Sequence, residues 1–158
     1  MLLSGCGFHP LYGPEGGKSA GGMLAHVFVP VLPERSGQLL RQALQQRLDG
    51  AEAGVERRFE LTPALAIAYD GIGLQRDNSS SRIRLDASVI WVLRALSPGR
   101  PALTEGRGRV LDGYNVINQQ YFAAELENDS AIKRVTSTLA DQIVQQLARY
   151  FRSDVKPV

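Results

Sequence analysis

The sequence lacks a second cysteine, which a disulfide bond needs, and a long apolar run, which a transmembrane helix needs. Cys6 is its single cysteine, so no disulfide can form within the chain and an ordinary hydrophobic core must stabilise the fold. No run of about 18 or more apolar residues occurs, which excludes a predicted transmembrane helix. At 158 residues the chain has the size of one domain that can bury such a core.

Residues that support metal binding or catalysis are also scarce. The two histidines, His9 and His26, lie far apart, and no second cysteine completes a metal site. No serine has a histidine context that would indicate a nucleophile. The acidic residues Glu125, Glu127 and Asp129 adjoin a predicted helix start, where negative charge is favourable without a catalytic role. The chain is therefore predicted to be non-enzymatic and to bind no cofactor.

The net charge is small. The chain has 18 basic and 16 acidic residues, a net charge of +2, which argues against a dedicated nucleic-acid binder. The charge is unevenly placed, however, because the segment 76–109 carries seven arginines against three acidic residues, a net charge of +4. These arginines are Arg76, Arg82, Arg84, Arg94, Arg100, Arg107 and Arg109.

The residues around Cys6 match the site at which bacterial lipoproteins are cleaved and acylated. Leu3-Ser4-Gly5-Cys6 places an apolar residue and two small residues before the cysteine that becomes the new N-terminus. The small residues let the peptidase approach the bond, and a diacylglyceryl group alkylates the thiol. Cys6 is therefore predicted to be lipidated. Since a secretory signal needs an apolar stretch of about 7–15 residues, the natural chain is expected to begin upstream of Met1.

The rest of the chain divides into a tether and a folded domain. Gly7–Gly22 contains six glycines and two prolines without apolar periodicity, so it cannot offset the entropy of ordering by burial. Residues 1–22 are interpreted as a truncated signal remnant, the lipidation site and this flexible tether. Residues 23–158 are interpreted as a single domain in which regular structure begins near Leu24.

The first half of the domain is predicted to contain two strands and one helix. β-Branched residues favour a strand at 25–32, which Pro30 restricts to a sheet edge or a bulge. Apolar residues at helical spacing predict a helix that includes residues 39–48. A second strand is predicted at 59–69, interrupted by Pro63.

Two further strands follow a polar hairpin tip at 75–81. The clearest strand is 82–95, in which every odd-numbered residue from 83 onwards is apolar. The last strand is predicted at about 103–112. Its glycines, Gly106 and Gly108, indicate a bulge or a close backbone neighbour.

The final helix has the strongest apolar periodicity in the chain. It is predicted to begin at Asp129 or Ser130, after an irregular stretch at 114–128. Its apolar stripe is Ile132, Val135, Leu139, Ile143, Leu147 and Tyr150 or Phe151. The order β-α-β-β-β-α predicts an α+β fold, a two-layer sandwich whose four-stranded mixed sheet carries both helices on one face.

The arginines beside the hairpin are candidate anion contacts. Arg76, Arg82 and Arg84 lie in or next to the polar tip. Guanidinium groups bind phosphate and carboxylate in bidentate geometry, so this tip would suit a phosphorylated ligand or an acidic protein wall. The alternative is a solvated outer strand face on which arginine contributes solubility alone.

The N-terminal segment resembles a known family. Cys6-Gly7-Phe8-His9-Pro10-Leu11-Tyr12-Gly13 is similar to the residues that follow the lipidated cysteine in the lipopolysaccharide-assembly lipoproteins of the LptE family, in their alphaproteobacterial form. The similarity covers nearly the whole chain as a pattern. It continues through Val27–Val31, Leu39–Leu48, Ile83–Leu96, Tyr114-Asn115 and Leu139–Phe151.

The resemblance implies a non-catalytic lipoprotein of the outer membrane, anchored on the periplasmic side and inserted into the lumen of the β-barrel LptD. Such a protein plugs the barrel, helps assemble it and takes part in inserting lipopolysaccharide (LPS) into the outer leaflet. The resemblance also implies two basic contacts to LPS phosphates. Arg76 is the best match for the contact in the hairpin loop. The other contact precedes the last helix, where 123–127 is acidic here.

Two other classes of function remain open at this point. An accessory lipoprotein of an ABC-type envelope lipid-transport system can have a similar small α/β body. Co-purification with an inner-membrane transporter instead of a barrel would distinguish it. An envelope hydrolase would need a Ser/His or metal constellation, which this sequence does not provide.

Overall fold

The computed structural model describes residues 20–48, 55–74, 80–116 and 121–154. The elements are α1 (Ala20–Leu24), β1 (Val27–Phe28), α2 (Glu34–Leu48), β2 (Phe59–Leu74), β3 (Ser80–Ala95), β4 (Ala102–Asn115) and α3 (Tyr121–Asp154). Within these ranges, no helix is both long and apolar enough to cross a membrane.

The strands form one four-stranded sheet in the order β1-β2-β3-β4. β1 is parallel to β2, and the other neighbours are antiparallel. α2 and α3 share one hydrophobic core with a single face of this mixed sheet, which confirms the α+β two-layer prediction. The short helix α1 was not predicted, and it begins within the segment interpreted as tether.

The core confirms the alternation predicted for β3. Its odd-numbered residues from Leu85 to Leu93 are buried, and they belong to the same layer as Leu139, Ile143 and Leu147 of α3, each with no exposed surface. Full burial of one such aliphatic side chain contributes about 1.5–3 kcal/mol. The apolar residues that recur every second position in β3 and every third or fourth position in α3 therefore pack against each other at one interface.

β2 continues through Pro63, so the predicted interruption is wrong. Pro63 lies opposite Trp91 of β3. The Phe59 N–H donates to the His26 carbonyl, on the β1 side, at 3.2 Å. Backbone groups alternate sides along an antiparallel strand, so the odd-numbered residues from 59 to 71 direct their N–H groups away from β3. The missing N–H of Pro63 therefore costs no bond in the β2–β3 ladder.

The first strand is at the sheet edge, as Pro30 predicted, but it is much shorter than 25–32. Only Val27 and Phe28 pair with β2. Val29 is still buried, whereas Val31 is 76% exposed as the chain turns towards α2. Beyond its first two residues, β2 therefore has no partner on that side among the described strands.

α3 begins at Tyr121, so the predicted helix start at Asp129 or Ser130 is wrong. The preceding residues 122–127 are Phe, Ala, Ala, Glu, Leu and Glu, several of which are good helix formers. Asp129 does not cap the helix. Its carboxylate instead accepts a hydrogen bond of 2.7 Å from Arg35 of α2.

The two strand glycines are explained by close neighbours. A side chain at Gly106 would collide with the Trp91 ring and with Gln146 of α3, and one at Gly108 would lie 2.7 Å from the Gln142 amide oxygen. The irregularity in the β3–β4 register lies elsewhere, between Leu93 and Arg94. The prediction of a bulge or a close backbone neighbour is therefore wrong at both glycines, because the close neighbours are side chains of β3 and α3.

Candidate anion-binding site at the hairpin end of the sheet

The alternation of β3 places Arg82 and Arg84 on the outer face of the sheet, opposite the helices. The residues beside them on β2 are Ile72 and Asp70, and those on β4 are Asn115 and Gly113. Both arginines are exposed. The structure therefore brings two of the three predicted contacts together. The third, Arg76, lies outside the described residues, as does Cys6.

Arg84 already has a partner. Its guanidinium donates to the Asp70 carboxylate at 2.9 Å, and both side chains are about half exposed, at 49% and 51%. An exposed pair of this kind contributes about 0–1 kcal/mol to stability. Arg84 can still contact an anion with its remaining N–H groups, but its charge is largely compensated.

Arg82 is the less compensated cation of the pair. Within the ranges that the structure describes, no carboxylate lies within ion-pair distance of its guanidinium. It borders a shallow depression on the outer face, which is lined by Ile72, Arg82, Arg84, Leu111, Asp112 and Gly113. A guanidinium beside an open, partly apolar depression can bind an anionic group that also carries hydrocarbon.

A third arginine reaches this end of the molecule from α3. Arg134 donates to the Asp112 carboxylate at 2.7 Å, and the Gly113 N–H donates to the other oxygen at 2.7 Å. Partial burial alone would raise the pKa of Asp112. The hydrogen bonds from Arg134 and Gly113, with the positive charges of Arg134 and Arg82, outweigh burial and leave that pKa below its ordinary value of 3.8.

Sequence reasoning missed Arg134 because it lies inside a helix, far along the chain from the hairpin. A basic residue next to the apolar stripe of α3 was visible in the sequence, but nothing local indicated that it would face β4. The acidic stretch 123–127 forms early turns of α3, and Glu125 and Glu127 are exposed there.

Several of the other arginines are neutralised by carboxylates. Arg109 donates to both oxygens of Asp86, and the Arg109 hydrogen bonds hold the pKa of that carboxyl below its ordinary range. Arg100 donates to Glu60 of β2 at 2.5 Å. Glu60 lies outside the segment 76–109, so its carboxylate offsets part of the +4 charge of that segment in a way that the segment's own sequence does not indicate.

The outer face combines these charges with exposed apolar side chains. Ile90 is 66% exposed, Leu111 58% and Ile72 40%. Ala64, Ala66 and Ala68 of β2 add a row of small exposed residues. The face can therefore make apolar contacts around the charged groups.

The chain matches no family model, and no curated protein matches it in sequence. Solved structures do match. A candidate lipoprotein from Caulobacter crescentus CB15 has a TM-score of 0.68 at 23% sequence identity, covering 88% of this chain and 98% of its own.

Two further lipoproteins share the architecture. Rare lipoprotein B from Shewanella oneidensis has a TM-score of 0.60 at 16% identity, over 82% of this chain and 97% of its own. A lipoprotein B of uncharacterised function from Nitrosomonas europaea has a TM-score of 0.55 at 13% identity, over 80% of this chain and 83% of its own. At these identities the likeness shows the shared fold.

Proposed function

We propose that the chain is a non-catalytic lipoprotein of the outer membrane, anchored through Cys6, that plugs and helps assemble an LptD β-barrel and takes part in inserting LPS into the outer leaflet. The observation that carries the proposal is the fold, which the chain shares with three lipoproteins over at least 80% of its length. The lipidation pattern at Cys6 and the resemblance of Cys6–Gly13 to the LptE family support the same function.

The hairpin end of the sheet is the proposed LPS contact. Arg82 lacks an ion-pair partner among the described residues, while Arg134 and Asp112 lie at the same end. Phosphate groups bind arginine through charge-assisted hydrogen bonds, which are about twice as strong as neutral ones. Exposed Leu111 and Ile72 beside Arg82 suit the hydrocarbon of a lipid. Arg134 lies at the same end on the helix side of the sheet, where Asp112 compensates its charge, so Arg82 is the main proposed contact among the described residues.

Co-purification tests the proposed partner and anchor together. The protein is expressed from its natural gene, isolated from membranes in mild detergent, and its partners and the mass of its N-terminal peptide are measured. We expect an outer-membrane β-barrel in the complex and an acylated Cys6. Each acyl CH₂ buried in the bilayer contributes about 0.8 kcal/mol, so several chains anchor stably.

The matched control is Cys6→Ser, which removes the acylation site, so the mass of the acyl chains should be absent from its N-terminal peptide. Recovery of the unmodified thiol at a mature N-terminus would contradict the anchor. Recovery with an inner-membrane transporter complex and no barrel would contradict the plug function and favour the ABC-type alternative.

Charge reversal tests the anion site. Arg76→Glu with Arg82→Glu should weaken binding of the purified protein to LPS by about tenfold or more, because each lost charged hydrogen bond is worth about 1.5–3 kcal/mol. Arg84 is left unchanged, since a carboxylate there would face Asp70. Binding by the parent should also fall with added salt. Fluorescence titration at several ionic strengths measures both effects.

The control variant is Arg107→Glu with Arg149→Glu, which applies the same charge change at two exposed residues further from the hairpin. We expect it to bind LPS nearly as well as the parent. Equal losses in the two variants would show that LPS responds to overall charge, and full binding by the hairpin variant would refute the site. The plug function would survive either result.

A further inference from the structure

Among the described strands, one edge of β2 is largely unpaired. β1 pairs with β2 only at Phe59 and Glu60, and β2 continues to Leu74. From Leu61 to Gly71, the described strands provide no partner on this side. An edge strand with unpaired N–H and C=O groups is a template for pairing with another chain.

The alternation of the backbone identifies the groups at this edge. The even-numbered residues Ala64, Ala66 and Ala68 direct their N–H and C=O groups towards β3, whereas Leu65 and Ile67 direct theirs outwards, as Phe59 does towards His26. The intervening residue Pro63 removes one outward donor but no carbonyl. The outward groups therefore form a regular row that a further strand can pair with.

At the opposite edge of the sheet, side chains of α3 bond to outward carbonyls of β4. Gln146 of α3 donates to the Arg107 carbonyl at 3.0 Å and Gln142 donates to the Arg109 carbonyl at 3.4 Å. By the same alternation, these carbonyls of β4 point away from β3. Two glutamines one helical turn apart thus cap two alternate carbonyls of the strand. The protein's own side chains therefore cover part of the β4 edge, whereas among the described contacts no side chain caps a carbonyl of β2 between Leu61 and Gly71.

We propose that β2 pairs in antiparallel register with β2 of a second copy of this chain, with the two-fold axis at Ile67. This register places Leu65 opposite the partner subunit's Tyr69 on the helix side of the sheet, and Ala66 opposite the partner subunit's Ala68 on the outer side. Leu65 and Ile67 are only half-buried in the single chain and Tyr69 is 50% exposed. Pairing would cover all three.

The chemistry of the strand favours its own copy as the occupant. Large residues alternate with alanine, so an antiparallel copy matches large with large on one face and small with small on the other. Asp70 is the only charged residue between Leu61 and Leu74, and Arg84 of the same chain compensates it. In the proposed register Asp70 faces the partner subunit's Ala64, so no like charges meet. The inference is independent of the proposed function.

Sedimentation of the full chain over a concentration series, with reductant to keep Cys6 from linking two chains, tests the proposal. We expect a reversible dimer. Amide hydrogen exchange should then show that Leu65, Ile67 and Tyr69 become protected as the concentration rises. Ala64, Ala66 and Ala68 should be protected at every concentration, because their N–H groups face β3.

The test variant is Ala66→Lys with Ala68→Lys. In the proposed register each new lysine faces a lysine of the partner subunit, and like charges directly opposite destabilise a strand pair. We expect the dissociation constant of the dimer to rise by about tenfold. The matched control is Ser88→Lys with Ile90→Lys, which adds the same charge to the same exposed face on the central strand β3. Dimerisation should remain close to that of the parent.

Three results would overturn the proposal. One is a chain that stays monomeric at all concentrations. Another is protection of the odd-numbered amides in a monomer, which would show that the edge is covered by something other than a second copy. The third is equal weakening by the control, which would show that the copies associate through the outer face of the sheet.

Discussion

At the scale of single residues, the packing of β4 depends on glycine at two positions. Gly106 and Gly108 leave room for Trp91, Gln142 and Gln146, and these glutamines then reach the carbonyls of the strand. Glycine usually weakens a strand because it has no side chain to pack. Here the loss is offset by the close approach of α3, so the glycines locate the contact between the helix and the strand.

Substitution of Gly106 tests this contact. Gly106→Ala introduces a methyl group into the Trp91 ring and the Gln146 side chain, and overpacking of this kind costs about 1–3 kcal/mol. We expect a corresponding fall in the free energy of unfolding, measured by urea denaturation. The neighbouring exposed residue offers a control, because Glu105→Ala should change stability by about 0.5 kcal/mol or less. Similar values for both variants would show that Trp91 and Gln146 do not pack this closely on Gly106.

At the scale of the elements, α3 holds the two layers together. One stripe of this helix is buried along most of its length and packs against β3, β4 and α2. Beside this stripe, Arg47 of α2 donates to both oxygens of Asp141 at 2.6 and 3.0 Å. Since most of the stability of a helix in a protein comes from packing, loss of one buried side chain should affect the whole domain.

The buried stripe can be tested at its centre. Ile143 has no exposed surface, so Ile143→Ala should lower the free energy of unfolding by about 2–5 kcal/mol, from lost burial and the remaining cavity. Gln145→Ala is the matched control, because Gln145 is exposed on the same helix. Denaturant melting followed by circular dichroism measures both. A loss below about 0.5 kcal/mol for Ile143→Ala would mean that this face of α3 is not the packed one.

At the scale of the whole molecule, ion pairs connect the helices to each other and to the sheet. Arg35 and Asp129 connect α2 to α3, while Arg134 and Asp112 connect α3 to β4. Such links add little individually when exposed. Of the two carboxylates, that of Asp112 is the more buried, and it accepts hydrogen bonds from two donors. Folding therefore stabilises its charged form.

Acid should therefore weaken the domain in part through Asp112. Because the pKa of Asp112 is lower in the folded chain than in the unfolded chain, its stabilising contribution is complete above the ordinary value of 3.8 and is lost as the pH falls through the lowered value. Asp112→Asn removes this titration. We expect the variant to be less stable than the parent at neutral pH and the difference to shrink below about pH 4.

The measurement is the free energy of unfolding from pH 7 down to the acid limit of folding. Gln145→Ala serves as the control, because Gln145 is exposed and its side chain does not titrate. Its difference from the parent should not change with pH. A constant difference between Asp112→Asn and the parent across the range would show that the pKa of Asp112 is not lowered by folding.

The features that the sequence determined by itself are those set by neighbouring residues. The alternation in β3, the stripe of α3 and the order of the main elements follow from apolar residues at fixed spacing, so the two-layer fold was predictable. Cys6 and the hairpin arginines were also visible as local patterns. Neither required knowledge of which segments meet in space.

Tertiary structure decided the features that depend on distant segments. Pro63 fits inside β2 because its outward side has no partner among the described strands, and Asp129 lies within α3, where its carboxylate pairs with Arg35 of α2. Arg134 joins Arg82 at the hairpin end only because α3 packs beside β4. Hydrogen bonds and charges act over a few ångströms, so their partners are fixed when the layers assemble and not by the order of residues along the chain.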